Sequence, residues 1–200
     1  MKKLNTYITE KLKIRKSSYK YYPETTKELK DLLKQLIEER GNEGDFNDID
    51  TSKITDMSGL FKNMEKFNGD IYNWDVSNVT NMTWMFSGCK LFNQNISNWD
   101  VFNVTDMYGM FYGCKSFNQD ISKWDVSNVT SMNWMFGECK SFNQNISEWD
   151  VSNVIDMCDM FYECKSFNSD ISNWNVSNVK YHKEMFYNCS IEEKYKPKFS

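Results

Sequence analysis

The sequence has few of the residues that most catalytic and metal sites require. It holds one histidine, His182, and it has no C-x-x-C pair, no glycine-rich phosphate loop and no paired carboxylates outside its repeated positions. Triad catalysis and mixed Cys/His zinc sites depend on histidine or on close cysteine pairs. We therefore expect a protein that is not an enzyme, with no catalytic residue, no cofactor and no metal site.

Long apolar runs are also missing. No stretch of 18 or more apolar residues occurs, so the sequence predicts no membrane insertion. Residues 1–16 begin with two lysines after Met1 but lack the unbroken apolar stretch and the small-residue cleavage site of a secretory signal. The sequence as written predicts a cytoplasmic or virion-associated protein.

Residues that form linkers are scarce. Pro23 and Pro197 are the two prolines of the chain, and no long Gly/Ser stretch divides the sequence between them. We expect one continuous body in three parts: a helical capping region at residues 1–45, a repeat region at residues 46–190 and a tail or cap at residues 191–200.

Charge is distributed unevenly along the chain. Residues 1–40 hold 11 Lys and Arg against 6 Asp and Glu, whereas residues 41–200 hold 13 against 22. An acidic repeat region does not suit phosphate binding, which needs basic surface. No nucleic-acid partner is therefore expected for the repeats.

What the chain does contain is a 25-residue repeat. The unit FNQDISKWDVSNVTSMNWMFGECKS at residues 117–141 recurs from Phe67, Phe92, Phe142 and Phe167, and a degenerate copy precedes the first. A fixed period of this length predicts stacked coils that bury their apolar faces against one another. We interpret the recurring apolar positions as the core, which in this unit are Phe117, Ile121, Trp124, Val126, Val129, Met132, Met135, Phe136 and Cys139.

The repeat resembles that of the BspA-like leucine-rich-repeat family, in the variant with the pattern F-N-x-D/N-I-S-x-W-D-V-S-N-V-T-x-M-x-x-M-F-x-x-C. The resemblance covers about residues 46–190. It implies a scaffold of the kind found on bacterial surface proteins and in phage-borne settings. It also implies binding, often adhesion, without chemistry.

The pattern predicts an α/β fold, a leucine-rich-repeat-like right-handed solenoid of about six coils. Residues 117–121 and 129–132 have the composition and spacing of short parallel strands. The segment from Met132 to Cys139 has apolar residues at i, i+3, i+4 and i+7, which predicts a helical turn. The W-D-V-S-N segment between the strands is predicted to be a corner.

Two helices are predicted before the repeats. Residues 3–13 fit a short amphipathic helix. Further on, Thr25 and Glu28 form a capping-box pattern, leucines follow at helical spacing, and Gly41 stands where a C′ glycine belongs. We expect the helix over residues 26–40 to cover the exposed apolar end of the stack as its N-terminal cap.

The cysteines share one position of the repeat, with a single exception at Cys158. Equal spacing directs their side chains the same way, which disfavours disulfide geometry between neighbouring coils. We predict reduced, buried thiols that act as small hydrophobic groups, with disulfides as the alternative. The five thiols of this column are Cys89, Cys114, Cys139, Cys164 and Cys189.

A column of aspartates could be mistaken for a metal site. Asp75, Asp100, Asp125 and Asp150 recur at one position, and a calcium ladder is one interpretation because hard cations take oxygen ligands. The favoured interpretation is a row of Asx turns, since Asn175 in the next coil keeps the acceptor and loses the charge.

Large aromatic side chains alternate beside the predicted helical turn. Two columns three residues apart hold one large ring in each coil after the first, and small residues stand opposite the tryptophans. A partly exposed row of such rings suits the docking of a protein partner. Mutual packing of the rings is the alternative interpretation. The set, here named the aromatic stripe, is Trp84, Tyr108, Tyr112, Trp134, Tyr162 and Tyr187.

Function is expected to depend on what varies over a constant frame. The leading hypothesis is a non-enzymatic protein-binding scaffold, adhesion-like or dedicated to partner recognition through the aromatic stripe. The alternative is a structural component of a larger assembly, such as a phage particle or a bacterial surface layer. A carbohydrate-acting repeat protein would need acidic clusters outside the repeat register, which the sequence does not show.

Overall fold

A computed structural model describes residues 19–199, in which one helix leads into a stack of 25-residue coils. Helix α1 spans Thr26–Arg40, and a single 3-10 turn spans Glu193–Tyr195. Neighbouring coils meet at isolated parallel bridges. The longest row of these bridges joins Asp56, Asn81, Asp106, Ser131, Asp156 and Tyr181. The helix predicted at residues 3–13 lies outside the described residues.

The predicted α/β solenoid of parallel strands and helical turns is wrong. Over residues 19–199 the chain forms no sheet, and its elements of regular structure are α1 and the short 3-10 turn. The repeats consist instead of turns and irregular segments that are linked from coil to coil by individual hydrogen bonds.

The segment predicted as a helical turn is a series of tight turns because its backbone becomes left-handed twice. In the coil of Met82, the carbonyl of Met82 accepts from the N–H of Met85 at 3.1 Å, and the third residue of this turn, Trp84, has φ +56°. Phe86 and Cys89 close a second such turn, with Gly88 at φ +76°. Positive φ at the third residue belongs to type II turns and interrupts a right-handed helix.

The segments predicted as strands are interrupted by side chains that take the place of backbone partners. The N–H of Asn118 donates to Oδ1 of Asn93 at 2.9 Å, so no backbone ladder continues there. At the second predicted strand, one bridge joins Asn81 to Asp106, after which Oδ1 of Asn81 accepts the N–H of Thr83 at 2.9 Å. A bridge that is followed at once by a turn does not extend into a strand.

Asx turns mark three positions in a coil, where the sequence predicted one corner. In one coil, side-chain oxygens of Asn95, Asp100 and Asp106 each accept the N–H of the residue two positions later, at 3.0, 3.2 and 2.8 Å. The aspartate column thus has the turn role that was favoured over calcium binding, and Asn175 keeps that role through the N–H of Ser177.

The apolar columns of the repeat form the core, as predicted. In the four coils that start at Phe67, Phe92, Phe117 and Phe142 these side chains are almost fully buried, whereas in the last coil Val179, Phe186 and Cys189 are half-buried. Successive rings stack along the axis: Phe86 and Phe111 lie 5.6 Å apart between centroids, and Phe111 lies 4.1 Å from Phe117, which begins the next repeat. Continuous ring stacking therefore fills the interior from one coil to the next.

Helix α1 begins and ends as its sequence predicts. Oγ1 of Thr25 accepts the N–H of Glu28 at 3.2 Å, and Gly41 takes φ +78° after the last turn. The carboxylate of Glu28 reaches back to the N–H of Glu24 at 2.8 Å, one residue before the position of an ideal capping box.

The apolar face of α1 joins the core of the stack. Leu29, Leu33 and Leu36 are at most 1% exposed and belong to the same cluster as the repeat core. Oγ1 of Thr26 donates to the carbonyl of Asp56 at 2.6 Å, at the start of the bridge row. At the other end of the helix, the guanidinium of Arg40 donates to both carboxylate oxygens of Asp48, at 2.7 and 3.1 Å. The helix therefore covers the first coil.

The residues after the last coil fold back onto it. The carbonyl of Tyr195 accepts the N–H of Ile171 at 3.0 Å. Ile191 is buried, and the ring of Phe199 stacks on His182 at 4.1 Å between centroids. His182 is itself exposed.

The cysteine column carries free thiols, and its predicted burial is confirmed for four of its five members. Cys189, in the last coil, is half-buried. Each of the four buried thiols donates to a backbone carbonyl 28 residues earlier, as Cys114 does to Phe86 at 3.0 Å. Burial raises the pKa of Cys89 to about 12 and the pKa of Cys114 well above its ordinary value.

We expect the free energy of unfolding to fall as the pH rises above about 8.5, the ordinary pKa of a thiol. The folded chain keeps these thiols protonated, whereas the unfolded chain releases their protons near that pH. The stabilisation is therefore complete below about pH 8.5 and is lost as the pH rises towards the folded pKa. Each buried thiol should lower the free energy of unfolding by up to about 1.4 kcal/mol for each pH unit above that pKa. Urea unfolding at a series of pH values from neutral to alkaline measures this slope.

Two cysteine variants serve as a matched pair for this slope. Cys114→Ala removes a fully buried thiol and should reduce the loss of stability by about 1.4 kcal/mol per pH unit above pH 8.5. Cys158→Ala removes a half-buried thiol outside the column and should change the slope less. Equal slopes in the wild type and in Cys114→Ala would contradict the assignment.

Candidate binding surface

The aromatic stripe lies along one edge of the stack, where the tight turns place its rings. Trp84 and Trp134 occupy left-handed positions, with φ +56° and +58°. Tyr112, Tyr162 and Tyr187 stand three residues after that position in their own coils. Consecutive turns, and not the face of a helix, therefore bring the two columns together.

The six rings form one unbroken line of contacts. Between centroids, Trp84 lies 4.4 Å from Tyr108 and 5.9 Å from Tyr112, edge to face in both cases. Tyr112 lies 5.3 Å from Trp134, which lies 5.1 Å from Tyr162. Tyr162 stacks on Tyr187 at 5.0 Å. The structure thus unites every residue that the sequence assigned to the stripe.

Glycines make room for the two indoles. A Cβ atom at Gly109 would lie 2.3 Å from Cε3 of Trp84, and one at Gly137 would lie 2.7 Å from Cε3 of Trp134. The same position at Gly137 is 3.1 Å from the ring of Tyr112. The alternation of large and small residues therefore reflects ring packing, which is the alternative that the sequence left open.

Packing leaves much of the stripe accessible. Trp84, Tyr108, Tyr112, Trp134 and Tyr162 are half-buried. Tyr187, at the end of the line, is 53% exposed. The stripe is therefore both internally packed and open to solvent along its outer edge.

The charge beside the rings changes sign along the stripe. At its N-terminal end, Nζ of Lys62 lies 4.6 Å from the ring centroid of Trp84. Further along, the hydroxyl of Tyr112 donates to Oε1 of Glu138 at 2.8 Å. Burial, and then the hydrogen bond to Glu138, raise the pKa of Tyr112 to about 12. A cation therefore accompanies the first tryptophan, and a carboxylate stands near the second.

Carboxylates dominate the C-terminal half of the surface. Burial and the neighbouring Glu184 raise the pKa of Asp159. Burial raises the pKa of Tyr162, and so do the nearby charges of Glu163, Glu184 and Asp159. This part of the stripe is electrostatically negative.

The sequence interpretation did not assign Lys62 or the two spacer glycines to the site. Lys62 occupies the same repeat position as Tyr112, so the repeat register could have predicted its place beside Trp84. Gly109 and Gly137 stood in the alternation, but their role depends on where the indoles turn, which the left-handed backbone decides.

Within residues 19–199, no group of three or more His, Cys, Asp or Glu side chains is arranged to hold a metal ion. In the same part of the chain, neither the length nor the apolar character of any helix suffices to cross a membrane.

Two glycine variants separate ring packing from backbone strain. Gly109 and Gly113 both have positive φ, so alanine at either position should cost about 1–2 kcal/mol through the left-handed conformation. Alanine at position 109 would also displace Trp84, whereas position 113 has no neighbour closer than 3.8 Å. We therefore expect Gly109→Ala to lower the free energy of unfolding more than Gly113→Ala and to change the tryptophan fluorescence. Equal losses of stability in the two variants would contradict packing of the Trp84 ring over Gly109.

Comparison with known proteins assigns the chain to a repeat family. No curated protein and no solved structure matches the chain. One family model matches twice, over residues 28–141 and 119–196, so that the two matches together cover most of α1 and all the coils. The model describes a repeat family related to BspA-like surface proteins. The chain belongs to this family, described as Mycoplasma protein of unknown function, DUF285.

Proposed function

We propose that the protein is a non-enzymatic binding scaffold that recognises a protein partner through the aromatic stripe. The observation that carries the proposal is the unbroken line of rings that remain half-exposed and end in the exposed Tyr187. Tryptophan and tyrosine supply most of the binding energy in many interfaces because they bury large areas at low entropic cost.

The arrangement of the rings favours binding because little order has to be gained on association. Edge-to-face contacts fix Trp84 against Tyr108 and Tyr112, and Gly109 closes the space beneath the indole. A partner would therefore meet side chains that are already held in place. Such preorganisation lowers the entropic cost of binding.

The charges along the stripe indicate the chemistry of the partner. Lys62 already lies against Trp84 within the chain, which shows that an indole of this surface accepts a cation. Within residues 19–199, no lysine lies over the ring of Trp134 or Tyr162. Glu138 instead accepts from the neighbouring Tyr112, and Glu163 lies near Tyr162. A partner segment with lysine or arginine side chains would complement this C-terminal half.

The resemblance of the repeat sequence to the BspA-like pattern favours a binding role of this kind. BspA-like repeat proteins, to whose 25-residue variant the sequence pattern is similar, are expected to bind and often to adhere. In the present chain the constant residues of the repeat form the core, while the two stripe columns vary from coil to coil. Variation on a constant frame is how repeat proteins present binding surfaces.

A double variant, Trp84→Gly with Trp134→Gly, tests the proposal. Glycine already occupies this position at Gly59 and Gly109, and it relieves the left-handed strain, so the coils should keep their fold. We expect the variant to retain buried thiols and cooperative unfolding but to lose the partner that the wild type captures from its native source. Affinity capture followed by mass spectrometry measures the loss.

Phe102→Ala is the matched control. Phe102 is 49% exposed and lies in the Asx turn that begins at Asp100, apart from the aromatic stripe. This variant removes one exposed aromatic ring and should capture the same partner as the wild type. If the double glycine variant folds and captures the partner equally well, the stripe is not the binding surface.

A further inference from the structure

The last coil presents a row of four backbone N–H groups. The equivalent N–H groups of every earlier coil are hydrogen-bonded to the coil that follows. Four N–H groups of each preceding coil donate to carbonyls of the next. In the coil before the last, these are the groups of Met157, Asp159, Phe161 and Glu163, at 2.7, 3.0, 2.9 and 2.8 Å from their acceptors. The donors are two residues apart because the alternate N–H groups close turns within the coil.

The equivalent groups of the last coil have no acceptor within residues 19–199. They are the backbone N–H groups of His182, Glu184, Phe186 and Asn188. Glu184 and Asn188 keep the left-handed conformation of the earlier coils, with φ +53° and +54°. The edge at residues 182–188 therefore has the conformation of an interior edge, while its four donors lack acceptors in the part of the chain that the structure describes.

The tail covers the apolar interior of the last coil but leaves this edge open. Nζ of Lys196 lies 5.6 Å from the ring centroid of Phe186, and Phe199 stacks on His182. Neither contact supplies an acceptor to the four N–H groups. Residues 181–184 and 187–188 are exposed, with Tyr181 at 59%.

We propose that the edge at residues 182–188 binds a peptide segment of another protein, which adds its backbone to the stack along the path of a further coil. The interior interfaces define what the segment must offer: backbone carbonyls at every second residue, facing the four donors. This is recognition by backbone addition to an open edge. An aromatic side chain of the segment would stack on the outer face of Tyr187 as Tyr187 stacks on Tyr162.

A second copy of the chain does not fit this edge. Two such edges related by a two-fold axis would place donors against donors. A head-to-tail arrangement would need the carbonyls of the first coil, but α1 lies at that end and Thr26 already donates to Asp56. The proposal therefore commits to a peptide from a different protein, and it does not depend on the aromatic stripe as a whole.

A synthetic peptide of residues 105–113, with blocked ends, tests this proposal on the full-length protein. In the folded chain, the carbonyls of Asp106, Tyr108, Met110 and Tyr112 accept from the four donors of the preceding coil. Amide hydrogen exchange by NMR follows the N–H groups of His182, Glu184, Phe186 and Asn188. At a peptide concentration ten times its Kd, their exchange should slow about tenfold, because the free fraction alone exchanges.

Internal and external controls make the result decisive. The amides of Met157, Asp159, Phe161 and Glu163 are already bonded and should keep their exchange rates. A peptide with the same residues in scrambled order should protect the edge less. The proposal is overturned if the four amides are unaffected up to the solubility limit of the peptide, or if the scrambled peptide protects them equally. Self-association that protects them without peptide would overturn it as well.

Discussion

The structure depends on how each coil divides its backbone N–H groups between itself and its neighbour. In the segment from Met82 to Cys89, the N–H groups of even-numbered residues donate to the next coil, and those of Met85, Ser87 and Cys89 close turns. The remaining group, of Thr83, donates to Asn81 Oδ1. A buried N–H without a partner costs as much as a lost hydrogen bond, so this division fixes both the coil conformation and the stacking. It also explains why the two ends of the stack differ.

The polar groups of the core side chains are also hydrogen-bonded to the backbone of a neighbouring coil. The indole N–H of Trp124 donates to the carbonyl of Ile96 at 3.1 Å, and the thiol of Cys139 donates to that of Phe111 at 2.9 Å, each reaching back 28 residues. Both side chains are buried and fill space with apolar atoms. Each also adds a second donor to a carbonyl that already accepts a turn N–H, from Trp99 at Ile96 and from Cys114 at Phe111. Valine at the cysteine position would have a similar size but would lose this second hydrogen bond to the carbonyl, so a weak donor suits this column.

The sequence was sufficient for the core and for α1 but not for the path of the coil. Burial follows the 25-residue register, which the identical residues at each repeat position make evident. The ends of α1 were predictable because Thr25, Glu28 and Gly41 are residue types typical of helix caps. The error concerned Met132 to Cys139, whose apolar spacing fits a helix and successive turns equally well. Asn63, Gly88 and Gly113 are residue types that favour a left-handed backbone, and they occupy one position of the repeat. Glu138 and Glu163 occupy the same position, and glutamate does not indicate a left-handed backbone. The stripe residues were correctly grouped because contacts between adjacent coils follow from the register alone.

Tryptophan at a left-handed position links the backbone to the proposed binding role. Trp84 and Trp134 each carry a conformational cost of about 1–2 kcal/mol that glycine avoids at Gly59 and Gly109. Their rings recover part of that cost by packing against Tyr108, Tyr112 and Tyr162. The glycine that makes room for Trp84 is Gly109 of the next coil, whereas the one beside Trp134 is Gly137 of the same coil. The spacing of the rings along the stripe therefore depends on backbone strain and on the room that glycine provides, and the proposed partner would have to match that spacing.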